Sequence, residues 1–169
     1  PRTGGEAEAG LLFTSGSSGT PKGVALSHRN LLANCLQIRD AAVITEGEVL
    51  LGNLPLFHSF GFTVTLWFSL LEGIKLVTVS SPLEVKKGLT AIREKKVTIL
   101  LGTPTFLRPF LRKGTEEDLA SVGYVIAGAE KTPAGFAEKW ENSFGCRYLE
   151  GYGLTETSPV LSINRPGDG

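Results

Sequence analysis

The feature that most constrains the fold is a regular alternation of short apolar runs with capped helical stretches. Leu11–Phe13, Val49–Leu51, Ile74–Val79, Val97–Leu101, Tyr124–Ala127, Arg147–Leu149 and Val160–Ile163 each read as a strand, because each is short, apolar and set off from its neighbours. Between them, Ser27 can cap a helix whose apolar stripe is Leu31, Cys35, Ile38 and Ala42, at spacings of three and four. Ser81-Pro82, Thr103-Pro104 and Thr132-Pro133 each set a hydroxyl cap before a proline at the first helical position. The first also has Glu84 at the capping-box spacing. A buried helix is expected over Phe62–Leu71, and the helix after Pro133 carries Phe136, Trp140 and Phe144 on one side. Such alternation predicts an α/β fold, a mainly parallel sheet flanked by helices on both faces. Ligands bind such sheets at the carboxyl ends of the strands.

Composition narrows the partners. The 169 residues suit one domain. Lys and Arg total 17 against 17 Asp and Glu, which disfavours a nucleic-acid partner held by a strongly basic surface. Cys35 and Cys146 form neither a disulfide framework nor a metal-ligand pattern. Val49–Leu71 has no charged residue, but Gly52, Asn53, Pro55, His58 and Gly61 interrupt it. It therefore reads as strand, turn and core helix, so no membrane segment is expected. The chain has no Met and begins at Pro1, so it reads as an excised or processed piece. Pro1–Gly10 and Asn164–Gly169 read as cut linkers.

Phe13-Thr14-Ser15-Gly16-Ser17-Ser18-Gly19-Thr20-Pro21-Lys22-Gly23-Val24 follows directly on the first strand. Glycines let backbone N–H groups approach an anion, hydroxyls donate further hydrogen bonds, and Lys22 adds positive charge. That combination holds a polyphosphate. It is not a Walker loop, because Lys22 follows Pro21 and precedes Gly23. A flexible linker would not need the proline, the lysine or the apolar flanks.

The segment resembles the phosphate loop of adenylate-forming enzymes: acyl-CoA synthetases, peptide-synthetase adenylation domains and luciferases. Tyr152-Gly153-Leu154-Thr155-Glu156-Thr157 resembles that family's Tyr-Gly-x-Thr-Glu motif, and Gly128-Ala129-Glu130 its adenine-proximal loop. The resemblance implies joining of a carboxylate to the α-phosphate of ATP, with pyrophosphate released. It implies that Thr14, Ser15, Gly16, Ser17, Ser18, Gly19, Thr20 and Lys22 hold the β- and γ-phosphates, and that Glu156 ligates Mg²⁺. Thr155 would hydrogen-bond the α-phosphate and Tyr152 would stack on adenine, with Gly128, Ala129, Glu130 and Gly153 around the nucleotide.

Leu54-Pro55-Leu56-Phe57-His58-Ser59-Phe60-Gly61 corresponds to the run that borders the carboxylate substrate in the family. Amino-acid-activating members carry an Asp there for the substrate's ammonium group. His58 with apolar neighbours therefore disfavours an amino acid, since an unpaired buried ammonium is costly. His28, at a helix start, reads as structural. Phe60, Phe62, Trp67 and Phe68 fit either an apolar tunnel or ordinary core. The wording of these runs and of Gly102–Leu107 most resembles the acyl-acyl carrier protein synthetase module of bacterial bifunctional 2-acylglycerophosphoethanolamine acyltransferases. A fatty acid substrate and an acyl carrier protein acceptor are then implied, in lysophospholipid reacylation at the cytoplasmic face of the inner membrane. An acyl-CoA synthetase using coenzyme A is the main alternative. A nucleotide-binding module without catalysis and a purely structural domain are alternatives of other classes. The family's ribose-binding Asp and C-terminal lid lysine do not occur in these residues. The chain is thus expected to be the central part of the large adenylation subdomain, inactive without a C-terminal lid, and any acyltransferase domain lies outside it.

Overall fold

The computed structural model describes residues 4–15, 20–41, 44 and 47–165. Its main sheet has six strands in the order β4-β3-β5-β6-β7-β8: β3 (Val49–Gly52), β4 (Lys75–Thr78), β5 (Ile99–Gly102), β6 (Tyr124–Ala127), β7 (Arg147–Gly153) and β8 (Val160–Ile163). All neighbours from β4 to β7 pair parallel, and β8 returns antiparallel on β7. The predicted α/β class and mainly parallel sheet are therefore what the chain adopts.

The period of two along each strand explains why helices are needed on both faces. Leu50, Ile99, Leu101, Ile126 and Leu149 point into one core. Val49, Leu51, Leu100, Val125, Ala127 and Tyr148 point into the other. The first core is closed by α1 (His28–Ala41), a π-helical stretch Gly61–Trp67 and its continuation α2 (Phe68–Glu72). The second is closed by α3 (Val85–Lys95), α4 (Pro104–Lys113), α5 (Glu116–Leu119) and α6 (Phe136–Phe144). Leu51, Leu100 and Val125 are fully buried, each contributing roughly 2 kcal/mol or more by removal from water.

The first strand departs from expectation. Instead of joining the sheet, β1 (Glu8–Ser15) forms a separate antiparallel hairpin with β2 (Pro21–Ser27), a segment the sequence shows only as loop and lead-in. Here Thr14 lies opposite Lys22 and Ser15 opposite Pro21, so the two ends of the glycine- and hydroxyl-rich run are paired with each other. Gly16, Ser17, Ser18 and Gly19, and Ala42 of the α1 stripe, lie outside the described residues.

Helix starts follow hydrogen-bond supply rather than the Ser/Thr-Pro signal alone. Ser27 caps α1 as expected, accepting from Asn30 N at 3.2 Å, while Asn30 Oδ1 accepts from Ser27 N at 2.9 Å. Thr103 caps α4, accepting from Phe106 N at 3.3 Å. Ser81-Pro82 forms a turn instead, with Ser81 Oγ accepting from Leu83 N at 3.2 Å, and α3 begins only at Val85. Thr132 likewise turns to the Tyr148 hydroxyl at 3.3 Å, and α6 starts after Gly135, whose φ is 71°. The short α5 goes unannounced by any apolar stripe, yet Thr115 and Asp118 form a capping box for it. Nor is Gly4–Gly10 a free linker: Gly5 O and Ala7 O accept from Arg29 N and His28 N at 2.8 and 3.1 Å. Asn164 N at the other end donates to Glu150 O at 3.0 Å.

Candidate functional site

The winding of the sheet reverses between β3 and β5. From β3 the chain crosses to β4 on one side, then returns past β3 to β5 and continues to β7. A crevice opens at the carboxyl ends of strands at such a reversal. The segments leaving those ends are Asn53–Phe60, Thr103, Gly128–Lys131 and the end of β7, and Phe13, Thr14 and Lys22 of the β1–β2 hairpin join them.

Here a cleft of about 600 Å³ is lined by Phe13, Thr14, Lys22, His58, Ser59, Ala129, Gly153, Leu154, Thr155 and Glu156. It joins the hairpin, the loop after β3, the loop after β6 and the turn after β7, elements far apart in sequence. Thr14, Lys22, His58, Ala129, Gly153, Thr155 and Glu156 thus meet in one place. An apolar cavity of about 70 Å³ adjoins it, lined on the α1 side by Ile38, Leu50, Phe60, Val64, Phe68, Leu101 and Ile126, among others. The two share His58, Ser59, Ala129 and Gly153. No Asp, Glu, Lys or Arg lines the apolar cavity among the described residues. Gly128 and Tyr152 belong to its wall, and the Tyr152 ring is 60% exposed, free to offer a face to a planar ligand.

Local backbone chemistry fixes this junction. Gly61 has no room for a side chain, because a Cβ there would overlap the Pro55 carbonyl. The chain can therefore fold back on itself and present His58 and Ser59. His58 Nδ1 accepts from Phe60 N at 3.3 Å, and Phe62 N donates to His58 O at 2.9 Å. Gly153 is held just as tightly against the Pro159 carbonyl. The turn at Thr155–Thr157 is closed by the Thr157 hydroxyl, which donates to Leu154 O at 2.9 Å, pairs with Pro159 O, and accepts from Leu154 N at 3.0 Å. Ala129 has φ 66°, a left-handed conformation that non-glycine residues adopt at a cost and that clusters at functional sites. Buried Asn34 of α1 holds β8 over the apolar cavity: its Nδ2 donates to Val160 O at 2.7 Å and its Oδ1 accepts from Val160 N at 3.1 Å.

Some sequence-selected residues fall elsewhere. The Glu130 carboxylate accepts from Thr105 Oγ1 at 2.7 Å and Thr105 N at 3.2 Å, so it ties the β6 loop to α4 and lines neither cavity. Exposed Thr20 lines neither. Of the four aromatics weighed as tunnel or core, Phe60 and Phe68 line the apolar cavity. Phe62 and Trp67 pack edge to face at 6.2 Å against the hairpin core of Leu12, Leu26 and Leu31. Ser59, Phe13 and Leu154 complete the cleft without having been singled out. The place of Ser59 beside His58 was the available signal.

Glu156 is a single exposed carboxylate facing a cleft that also holds Lys22, Thr14 and Thr155. Among the described residues no group of three or more His, Cys, Asp or Glu gathers for a metal. One carboxylate beside a phosphate-sized cleft fits Mg²⁺, which keeps its waters and takes further oxygens from substrate phosphates. The two thiols play no part here. Burial pushes those of Cys35 and Cys146 up to about 11, which keeps them protonated and unreactive.

Known proteins are similar to this chain in sequence and in fold. The chain is 35% identical over 160 residues to the long-chain-fatty-acid–CoA ligase of Bacillus subtilis (strain 168), covering 91% of this chain and 28% of the relative. It is 32% identical over 158 residues to a feruloyl-CoA synthase of Amycolatopsis sp, covering 92% and 32%. ATP-bound MatB from Rhodopseudomonas palustris superposes with a TM-score of 0.87 at 31% identity, over 99% of this chain and 33% of that one. O-succinylbenzoate coenzyme A synthetase from Bacillus subtilis, in complex with ATP and magnesium ion, superposes with a TM-score of 0.84 at 28% identity, over 95% and 33%. The chain thus spans about a third of the length of these relatives. With the family model for AMP-binding enzymes matching residues 2–169, this chain belongs to the AMP-binding enzyme family.

Proposed function

We propose that the full-length protein carrying this chain activates a fatty acid with ATP and passes the acyl group to a thiol. The observation that carries the reading is the meeting of two unlike cavities at His58, Ser59, Ala129 and Gly153. One is polar and holds Lys22 and Glu156. The other is lined by no Asp, Glu, Lys or Arg among the described residues and suits an aliphatic chain. A carboxylate at the junction has its chain in one cavity and faces the phosphates in the other.

The residues then divide the work. Thr14 and Lys22, with the glycine- and hydroxyl-rich residues between them in sequence, hold the β- and γ-phosphates; Thr155 orients the α-phosphate; Tyr152 offers its exposed ring to adenine. Glu156 is the residue to hold Mg²⁺, which when bound neutralises charge on the phosphate oxygens. A carboxylate oxygen bonds to the α-phosphorus, the bond to the β-phosphate bridging oxygen breaks, and pyrophosphate departs. The thiol sulfur next bonds to the acyl carbon, giving up its proton, and AMP leaves. His58, at the junction, orients the carboxylate and screens it from water. Positioning and charge neutralisation supply most of the catalysis in phosphoryl chemistry of this kind, so the activity is assigned to the whole protein and not to these 169 residues alone.

For the acceptor, the wording of the motifs favours acyl carrier protein, with lysophospholipid reacylation at the cytoplasmic face of a membrane as the use of the product. Identity of 35% to a long-chain-fatty-acid–CoA ligase favours coenzyme A equally. The test is thioester formation from palmitate and Mg-ATP by the purified full-length protein, with each acceptor in turn. Turnover with acyl carrier protein alone supports the first reading, and turnover with coenzyme A supports the second. Adenylate without thioester from either contradicts both.

A further inference from the structure

Resting on the function just proposed, we infer that Ser59 is a positioning residue that aims the Thr155 hydroxyl at the phosphate. Ser59 is only 4% exposed, yet it lines both cavities. Thr155, 96 positions later, donates its hydroxyl to Ser59 Oγ at 3.2 Å. This hydrogen bond joins the loop that borders the apolar cavity to the turn that borders the polar one.

The surroundings divide the control of Thr155 between two residues. Thr157 sets the backbone of the turn through its bonds to Leu154 and Pro159. The Thr155 hydroxyl has Ser59 as its one hydrogen-bond partner among the described residues. A threonine side chain has staggered wells to choose from, and a buried partner selects one. Ser59 itself is fixed, because the overlap that excludes a side chain at Gly61 and the bonds around His58 hold its backbone on both sides.

A hydroxyl carries one proton and two lone pairs. While Thr155 donates to Ser59 it can only accept elsewhere. When a phosphate oxygen enters, the pair reverses: Ser59 donates to Thr155, and Thr155 donates to the phosphate. Ser59 thus keeps Thr155 saturated in both states and never needs to touch the nucleotide. No covalent bond changes in this exchange; only the two hydroxyl protons turn.

The test is a double-mutant cycle in the full-length protein, read by carboxylate-dependent exchange of labelled pyrophosphate into ATP. Ser59→Ala should lower kcat about tenfold, the scale of one hydrogen bond, with the KM for palmitate within about twofold. Because Ser59 acts through Thr155, Ser59→Ala with Thr155→Ala should be no slower than Thr155→Ala alone. Losses that multiply in the double variant overturn the inference and leave the function standing. So does a rise in palmitate KM at unchanged kcat. A wild-type protein that exchanges nothing with any carboxylic acid overturns the function, and this inference with it.

Discussion

At the scale of single residues, the site depends as much on missing side chains as on those present. Gly61 and Gly153 each lie where a Cβ would overlap a backbone carbonyl, of Pro55 and Pro159 respectively. Neither carbonyl belongs to a side chain that can swing away. Gly153→Ala must push the Tyr152–Glu156 segment off its turn, and Gly61→Ala must push His58 and Ser59 out of the junction. We expect either variant to fold with a lowered midpoint and to lose about a hundredfold or more in adenylation rate, because displacement by about 1 Å is that costly. Thermal unfolding together with pyrophosphate exchange checks this, and a Gly153→Ala variant of unchanged rate would contradict the geometry. The residues of the cleft were largely legible in the sequence, since Lys22, His58, Thr155 and Glu156 sit in runs with few other uses. Glu130 was not, because whether a carboxylate faces a ligand or a neighbouring helix depends on contacts such as that with Thr105, 25 positions away.

Among the elements, helix starts show where local signals suffice and where they do not. Three Ser/Thr-Pro pairs look alike in sequence, yet only Thr103 caps its helix. There the strand end delivers the chain directly into the first turn of α4. Thr132 instead meets Tyr148, and Ser81 serves a turn that delays α3. Thr103→Ala should therefore cost about 1 kcal/mol, whereas Ser81→Ala, which removes only an exposed turn bond to Leu83 N, should shift stability by about a few tenths of that. Urea unfolding of the two variants distinguishes them, and equal losses would contradict the assignment. The hairpin was the larger surprise. Leu11–Phe13 has the composition of a sheet strand, but β2 satisfies its backbone, leaving Phe13 69% exposed at the cleft. Pairing between segments divided by a polar tip is a tertiary choice, and alternation within either segment does not reveal it.

For the whole molecule, two cores on opposite faces of one sheet make a rigid platform, and the reversal of winding between β3 and β5 places the crevice. Sheet class and strand positions were readable because each run is short, apolar and set off from its neighbours, as suits strands buried on both faces; the order of strands and the antiparallel return of β8 were not, since both depend on which edges remain free. The buried thiols give this level its pH dependence. Cys35 and Cys146 are raised from an ordinary value near 9 to about 11 by burial, with Glu72 and Glu141 adding to it. Burial also raises Tyr148. A group whose folded pKa lies above its unfolded value stabilises the fold below the unfolded pKa and loses that effect as pH climbs through the folded one. Stability should hold up to about pH 9 and fall towards pH 11. Urea midpoints across this range check the fall. At pH 8 both cysteines should resist a thiol reagent until the protein unfolds, and immediate labelling of either would contradict the burial.

The most direct measurement is fatty-acid-dependent pyrophosphate release from Mg-ATP by the full-length protein, comparing wild type with Lys22→Ala and Glu156→Gln. The account predicts release that requires a fatty acid and falls by about a hundredfold or more in the Glu156 variant, the scale of losing one preorganised charge contact. Release that ignores the acid, or that survives both substitutions, would contradict it.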